Sequence, residues 1–457
     1  MKRMRCGETF AVRGLPVVLA ALWLAGAGIP LRAQAQQPRK TSPNPPANSS
    51  SPEKEDPLAP LLRQASEAIE KMDFAAALEP LQKYISQRPE EPYPHFQLGY
   101  AYAGLKRTED AKTEFSRAVT LDPKMAAAYQ NLGLVLMDSD PLSAAEAFRH
   151  QADLQPADSR PRFLAGFCLE HAGKFPEAIE QYRAAIQLSP KEYEPHFSLG
   201  RMLLRSNDAA GAEAQFREAI SVRGDSAPAP ARLGLASALL AQKKYEAASD
   251  SLADYLKSAP EDRSARVDRA LALLNLGRFD DALAELDRAD AGSTPNPESL
   301  KMRAEIYMRQ NKWKEAGDTL KQAIAASPQD AELTGWMGHV DIELRDYPSA
   351  VKLLEQAYAK DPQSGDTLRD LSDAFYLNEN YAAALEAMDR LAKLETPKPG
   401  SWFVRAICYD KLSRKAEAIA AYQKFLDEDG GQHDTQDFQA RHRIPVLQKE
   451  LGQSGKK

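Results

Sequence analysis

The chain has 457 residues, 43% of them hydrophobic and 27% charged, with a formal net charge of −6. That is enough apolar material for a large core, while the acidic balance excludes recognition of nucleic acid or anionic lipid by charge alone. Ala, Leu, Glu, Gln, Lys and Arg are plentiful, which favours helix; no run of alternating β-branched residues predicts an extended sheet.

The N-terminus opens on Lys2, Arg3, Arg5 and Arg13, followed by the apolar run LPVVLAALWLAGAGI from Leu15 to Ile29 and by LRAQAQQ, with small residues at Ala33 and Ala35. This is the layout of a secretory signal peptide over residues 1–35, cleaved after Ala35. The apolar run is shorter than the ~20 residues a membrane span needs, which speaks against an uncleaved anchor. Cys6 precedes the run and is badly placed for lipid modification after cleavage, and no arginine pair marks a twin-arginine route. Cleavage removes five basic residues and Glu8 and leaves a net charge of −10. The expectation is an exported protein, periplasmic or secreted in a Gram-negative-type envelope, with no transmembrane span after cleavage. Only Cys168 and Cys408 then remain, 240 residues apart. An oxidising compartment permits a disulfide, but two such distant cysteines make no framework, and both are expected to be unlinked apolar residues in helix interfaces.

Residues 36–57 read QQPRKTSPNPPANSSSPEKEDP. The segment is rich in Pro and Ser with little to bury, and predicts a disordered linker. Asn48-Ser49-Ser50 is a glycosylation sequon.

From Leu58 to Gly430 the chain repeats itself. An aromatic or similar residue, two more residues and an Ala recur as FAAA, FPEA, YEAA, FDDA, WKEA, YPSA and YAAA. The closing alanines are Ala77, Ala111, Ala144, Ala178, Ala212, Ala248, Ala282, Ala316, Ala350, Ala384 and Ala418, in steps of 33 to 36 residues. Eleven repeats result, spanning residues 58–430. Each predicts two amphipathic helices: in the second, His95, Leu98, Gly99 and Tyr102 share one face of a first helix, and Ala111, Phe115 and Ala118 one face of a second. Pro89, Pro123, Pro156, Pro190, Pro260, Pro328 and Pro362 close repeats, because Pro cannot continue a helix. Gly99, Gly133, Gly166, Gly200 and Gly338 fall where the two helices of a repeat meet and let their axes approach. Phe115, Phe148, Tyr182 and Phe216 are expected to fill the wedge toward the next repeat. The third repeat lacks one residue in its turn, at DSDPLS, and the sixth has two extra near GDSAPAPA.

This pattern resembles the tetratricopeptide repeat, Trp-x2-Leu-Gly-x2-Tyr, then Ala-x3-Phe, then Pro in 34 residues. The second repeat supplies His95, Leu98, Gly99, Tyr102, Ala111, Phe115 and Pro123; the eleventh supplies Trp402, Ala406, Tyr409, Ala418 and Tyr422. The resemblance covers about four-fifths of the chain. It implies an all-α fold: an α-solenoid of helix-turn-helix repeats forming a right-handed superhelix. Such an array buries its core between neighbouring repeats and needs polar caps at its ends. Residues 431–457 are expected to supply the last cap and a tail, with Phe438, Ile444, Val446, Leu447 and Leu451 on the apolar face.

No residue pattern calls for catalysis or for a cofactor. None of the seven histidines stands in HExxH or beside a CxxC pair, and no GxSxG occurs. His95 and His196 occupy the consensus Trp place and are expected to pack. DEDGGQHD, from Asp427, lacks calcium-loop spacing and reads as a solvated turn. Arg223-Gly224-Asp225 spells an adhesion tripeptide, yet Gly224 is accounted for as a helix stop. The repeats use nearly all the ordered chain, so no cofactor, no metal and no enzymatic activity are expected.

In tetratricopeptide proteins the first helices line a concave groove, and the resemblance places the second, fifth, ninth and twelfth residues of each repeat on it. Repeats two to five put Tyr93, Phe96, Tyr100, Gln130, Leu134, Phe163, Phe167, Phe197 and Arg201 there. Repeats eight to ten put Glu298, Lys301, Glu305, Glu332, His339, Asp366, Arg369 and Asp373 there. Packing between first helices is the competing role for the aromatics. A contiguous apolar patch marks a partner site, and Tyr93, Phe96, Tyr100, Phe163, Phe167 and Phe197 are the expected partner-binding residues. The family's clamp for C-terminal carboxylates also needs basic residues, and Asn131 stands without them. The sequence therefore points to a non-catalytic scaffold of the cell envelope binding a protein or extended peptide. The alternatives are a periplasmic component of a polysaccharide-export or outer-membrane assembly machine, and an accessory subunit of a transferase.

Overall fold

The eleven-fold periodicity becomes eleven pairs of helices. The computed structural model describes residues 56–454; the expected signal segment 1–35 and the linker as far as residue 55 lie outside them. Among the described residues there is no strand. Repeats one to four hold α1 (Ala59–Glu70) and α2 (Phe74–Gln87), α3 (Pro92–Gly104) and α4 (Thr108–Leu121), α5 (Ala126–Leu136) and α6 (Pro141–Leu154), and α7 (Ser159–His171) and α8 (Phe175–Leu188). Repeats five to eight hold α9 (Tyr193–Arg205) and α10 (Ala209–Arg223), α11 (Ala229–Ala241) and α12 (Tyr245–Ser258), α13 (Arg263–Asn275) and α14 (Phe279–Asp290), and α15 (Pro297–Arg309) and α16 (Trp313–Ala326). Repeats nine to eleven hold α17 (Ala331–Glu343) and α18 (Tyr347–Lys360), α19 (Gly365–Leu377) and α20 (Tyr381–Leu391), and α21 (Pro399–Lys411) and α22 (Lys415–Asp429); α23 (Asp434–Ser454) follows. The chain divides into two bodies, Met1–Pro190 and Lys191–Lys457. Each is an α-solenoid in which successive helices pack on one another.

Local chemistry sets the helix ends. Asp140 and Asp208 accept the N–H groups of Ser143 and Gly211 at 3.2 and 2.9 Å and cap the second helices that follow them. The residues just before the closing prolines, such as Arg88, Asp122 and Ser189, have φ of −137°, −130° and −138°, as the following ring demands. Between the two helices of a repeat the chain turns through a left-handed residue. After α3, Lys106 (φ 59°) donates its N–H to Ala103 and Arg107 donates to Tyr102, at 3.0 and 2.9 Å, a Schellman closure. Gly173 and Gly277 fill this place in repeats four and seven, but Met72, Asn207, Lys243, Asn311, Arg345, Glu379 and Ser413 fill it elsewhere. The third repeat, short by one residue, has no left-handed residue in this turn, and α5 ends at Leu136. A β-carbon in this conformation is strained by about 1–2 kcal/mol, part of which glycine returns through its freer unfolded chain. Arg345→Gly and Glu379→Gly, both exposed, are each expected to stabilise the fold by about 0.5–1 kcal/mol; equilibrium urea unfolding showing a loss would contradict this.

The core repeats with the helices. All eleven closing alanines are 0% exposed. Gly99, Gly133, Gly166 and Gly200 lie under a ring of their own second helix: an added β-carbon would stand 2.7–2.9 Å from Phe115, Phe148, Tyr182 or Phe216. The rings therefore fill the crossing inside their own repeat, a contact that the expected wedge toward the next repeat did not include. Phe216 does both, since a β-carbon added at Gly234 of the next repeat would stand 2.5 Å from its ring. Cys168 and Cys408 are free and buried, and burial pushes their thiols up to about 12 and about 11.

His95 and His196 pack at the consensus Trp place, and both are buried. His95 Nδ1 is 2.6 Å from Glu114 and Nε2 is 3.0 Å from the Pro89 carbonyl. Both contacts are hydrogen bonds at once only when both ring nitrogens carry protons, that is in the charged form of the ring. The Glu114 bond, opposed by burial, raises its pKa above the usual histidine value. That stabilisation is fully present below the unfolded value of about 6.5 and is lost as pH rises through the higher folded value. Glu114→Gln is expected to cost about 1.5–3 kcal/mol at pH 6 and less at pH 9; equal losses at both pH values in denaturant titrations would show a neutral ring.

At the C-terminal end α23 covers the last repeat. Ala440, Ile444 and Leu447 pack against Phe403, Ala406, Tyr422 and Phe425. Phe438, Val446 and Leu451, expected on the same face, are exposed instead. The DEDGGQHD turn also differs from its solvated reading. Asp429 is buried, accepts the His433 N–H at 3.0 Å and pairs with the His433 ring, while Gly430 and Gly431 take φ of 61° and 76°. Gly224 ends α10 with φ 56°.

Candidate interaction groove

Tyr93, Phe96 and Tyr100 recur at spacings of three and four, and so share one face of α3. Tyr93 is 48% exposed; Phe96 and Tyr100 are half-buried. The Phe96 ring lies 5.9 Å from Phe115 and 6.2 Å from Tyr93, and Tyr100 meets Phe74 edge-on at 6.1 Å. On α7, half-buried Phe163 lies 5.8 Å from Tyr182, and half-buried Phe167 lies 4.2 Å from His171. In the second body, half-buried Phe197 stacks on buried Tyr193 at 5.5 Å, lies 6.0 Å from Phe216 and carries the Arg201 guanidinium at 5.6 Å. Phe96, Phe163 and Phe197 thus hold one register. Each leans on the large ring of its own second helix and keeps an edge in water. The structure brings Tyr93 and Phe96 together on α3; half-buried Gln130 and Leu134 on α5 lie between α3 and α7 in the chain.

Repeats eight to ten are charged on the corresponding face, and side chains bridge successive first helices. Lys301 donates to Glu332 at 2.6 Å and lies 5.3 Å over Trp336. His339 Nδ1 is 3.3 Å from Asp370, and Arg369 donates to Asp366 at 2.7 Å and to both Glu395 oxygens at 2.9 and 3.0 Å. The Asp370 bond, against burial, raises the His339 pKa. Burial, then Asp370, pushes the Asp373 carboxyl up to about 6; its side chain stays open to water, so the carboxyl is ringed by protein without being sealed off. Burial, then Glu298, raises Asp268 to about 6. Trp336, Asp370 and Asp268 were missed in the sequence; Trp336 follows Glu332 by four residues, and that spacing was the available signal.

The carboxylate clamp finds no support here. Asn131 donates its amide to its own helix, to the Ala127 carbonyl at 2.8 Å. Among the described residues no three His, Cys, Asp or Glu side chains gather into a metal site, and no helix is long and apolar enough to cross a membrane.

Paired helices, a glycine under the ring of the second helix in repeats two to five and first helices bridged side by side define a helix-turn-helix repeat solenoid. The chain belongs to the tetratricopeptide-repeat family. Tetratricopeptide-repeat family models match residues 94–125, 138–193, 169–231, 233–297 and 273–337, and one described as anaphase-promoting complex, cyclosome, subunit 3 matches 343–425. Hsp70-Hsp90 organizing protein 2 of Arabidopsis thaliana is 25% identical over 200 residues, 43% of this chain and 35% of that protein; the chain thus spans about a third of that relative's length. Among solved structures, MamA residues 41-end from Desulfovibrio magneticus RS-1 is 24% identical with a TM-score of 0.33, covering 36% of this chain and 94% of that one. Yeast Tom70 is 13% identical with a TM-score of 0.34, covering 86% and 96%.

Proposed function

We propose that the protein is an exported, non-catalytic scaffold of a cell envelope that holds a protein or extended peptide on the face of its first helices. One observation carries this reading: Phe96, Phe163 and Phe197 each pack on the large ring of their own second helix yet stay only half-buried. Rings held in this way offer apolar area at low cost in conformational entropy. The name of the Arabidopsis relative, an organizing protein for two other proteins, accords with a scaffold. Export rests on the order of basic, apolar and small residues over 1–35. N-terminal sequencing of the exported protein is expected to find Gln36; an intact Met1 in the membrane fraction would overturn export. The scaffold reading is tested by capture from envelope extract with residues 36–457. Proteins retained by the native chain are expected to be lost with Phe96→Ala and Phe167→Ala together, with the helical signal unchanged. Retention by that variant, with loss in Asp366→Ala and Asp373→Ala, would move the site to the charged repeats.

A further inference from the structure

The helix that closes the array carries apolar groups on both of its sides. Ala440, Ile444 and Leu447 of α23 pack on the last repeat. Phe438, His442, Pro445 and Lys449, at spacings of four, three and four, lie on the opposite side, and all four are exposed. Phe438 is 61% exposed, and Val446, beside this row, 44%. The end of a solenoid needs a polar outer face to stay in solution alone, and α23 breaks that requirement. Spacings of four and three are those of the seam through which one helix packs on another. The charges of α23 divide in the same way. On its flanks they are satisfied within the chain: Arg441 stands 3.7 Å from Asp437, Arg443 donates to both Asp410 oxygens at 2.6 and 2.8 Å, and Glu450 lies 3.2 Å from Lys415. On the outer side, the side chains of Asp434 near one end and Lys449 near the other have no hydrogen bond or ion pair among the described residues.

We propose that this face pairs with α23 of a second copy of the chain, antiparallel, about a two-fold axis between positions 441 and 442. Such an axis makes one patch serve both copies. It exchanges Asp434 with Lys449 and Phe438 with Pro445, so each ring falls beside Pro445 and Val446 of the other copy, and each unpaired carboxylate beside an unpaired ammonium. Parallel pairing would set Asp434 on Asp434 and Lys449 on Lys449. Near the axis Arg441 meets His442 of the other copy. His442 donates its Nδ1–H to the Phe438 carbonyl at 2.8 Å, which leaves Nε2 of the neutral ring to accept from the guanidinium. This pairing lies outside the first helices and does not depend on the reading above. Sedimentation of residues 36–457 over a range of concentrations is expected to show a monomer–dimer equilibrium with a Kd on the order of micromolar, as suits a single helix pair. Phe438→Ala removes two rings per dimer and is expected to weaken it about a hundredfold. Lys449→Glu brings acids together at both ends and is expected to weaken it about tenfold. Asp434→Lys combined with Lys449→Glu exchanges the charges within each copy and is expected to restore the dimer, which no role inside the monomer would do. Should Phe438→Ala lower the helical signal, the charge exchange decides alone. A chain that stays monomeric at every concentration, or a dimer that withstands Phe438→Ala, overturns the pairing. A monomer that instead retains a different protein from envelope extract through Phe438 gives the face to that partner and overturns it too. A dimer strengthened by Lys449→Glu, or not restored by the charge exchange, overturns the antiparallel register.

Discussion

Phe216→Ala is expected to destabilise the second body by about 3–5 kcal/mol. Its ring is 0% exposed and is pressed between two repeats, on Gly200 of its own and Gly234 of the next. Neither glycine has a side chain that can move into the space, so the cavity persists and the loss falls at the upper end of the large-to-small range. A solenoid is held by terms within repeats and between neighbours, and this one ring contributes to both. Trp313, Trp336 and Trp402 all lie in the second body, so indole fluorescence during urea unfolding reads the change on the intact chain. Phe115→Ala, a ring with one glycine under it, is the internal comparison in the first body, followed by its helical signal. A Phe216→Ala loss below about 1 kcal/mol would mean that the repeats collapse around the gap.

Truncating the groove aromatics is expected to separate binding from folding unequally. Binding energy concentrates in a few anchors, each worth ~2 kcal/mol or more on truncation, about thirtyfold in affinity. Phe96 and Phe163 also touch Phe115 and Tyr182, so their loss carries a stability cost alongside the binding cost. Phe167 lies against exposed His171 one turn along its own helix, and Tyr93 is nearly half exposed. Phe167→Ala and Tyr93→Ala are therefore the cleaner probes: a thirtyfold weaker hold on the captured partner with a melting temperature within a degree or two. The charged repeats are expected to act mainly on approach rate and partner choice. If Phe167→Ala melts the first body early, its ring belongs to the core and the groove assignment fails.

Much of this was legible in the sequence because it is local. Alanine every 33 to 36 residues, glycine before it and proline after it fix where helices begin, cross and stop, since the residues that decide a helix lie within three or four positions of one another. The eleven repeats and the buried closing alanines followed from that alone. Tertiary structure decided what depends on longer spacings. Lys106, Arg345 and Glu379 gave no sign of left-handed backbone, because the two packed helices impose it on residues that do not favour it. The rings at Phe115 and Tyr182 turned inward to their own repeats because glycine at Gly99 and Gly166 left room there. Asp429 read as a solvated acid until α23 folded back and buried it. The pairing of Arg303 with Asp287 and Arg405 with Asp389 exists only once consecutive repeats are stacked. It spans sixteen residues and two helices, a separation at which helical periodicity carries no information about contact.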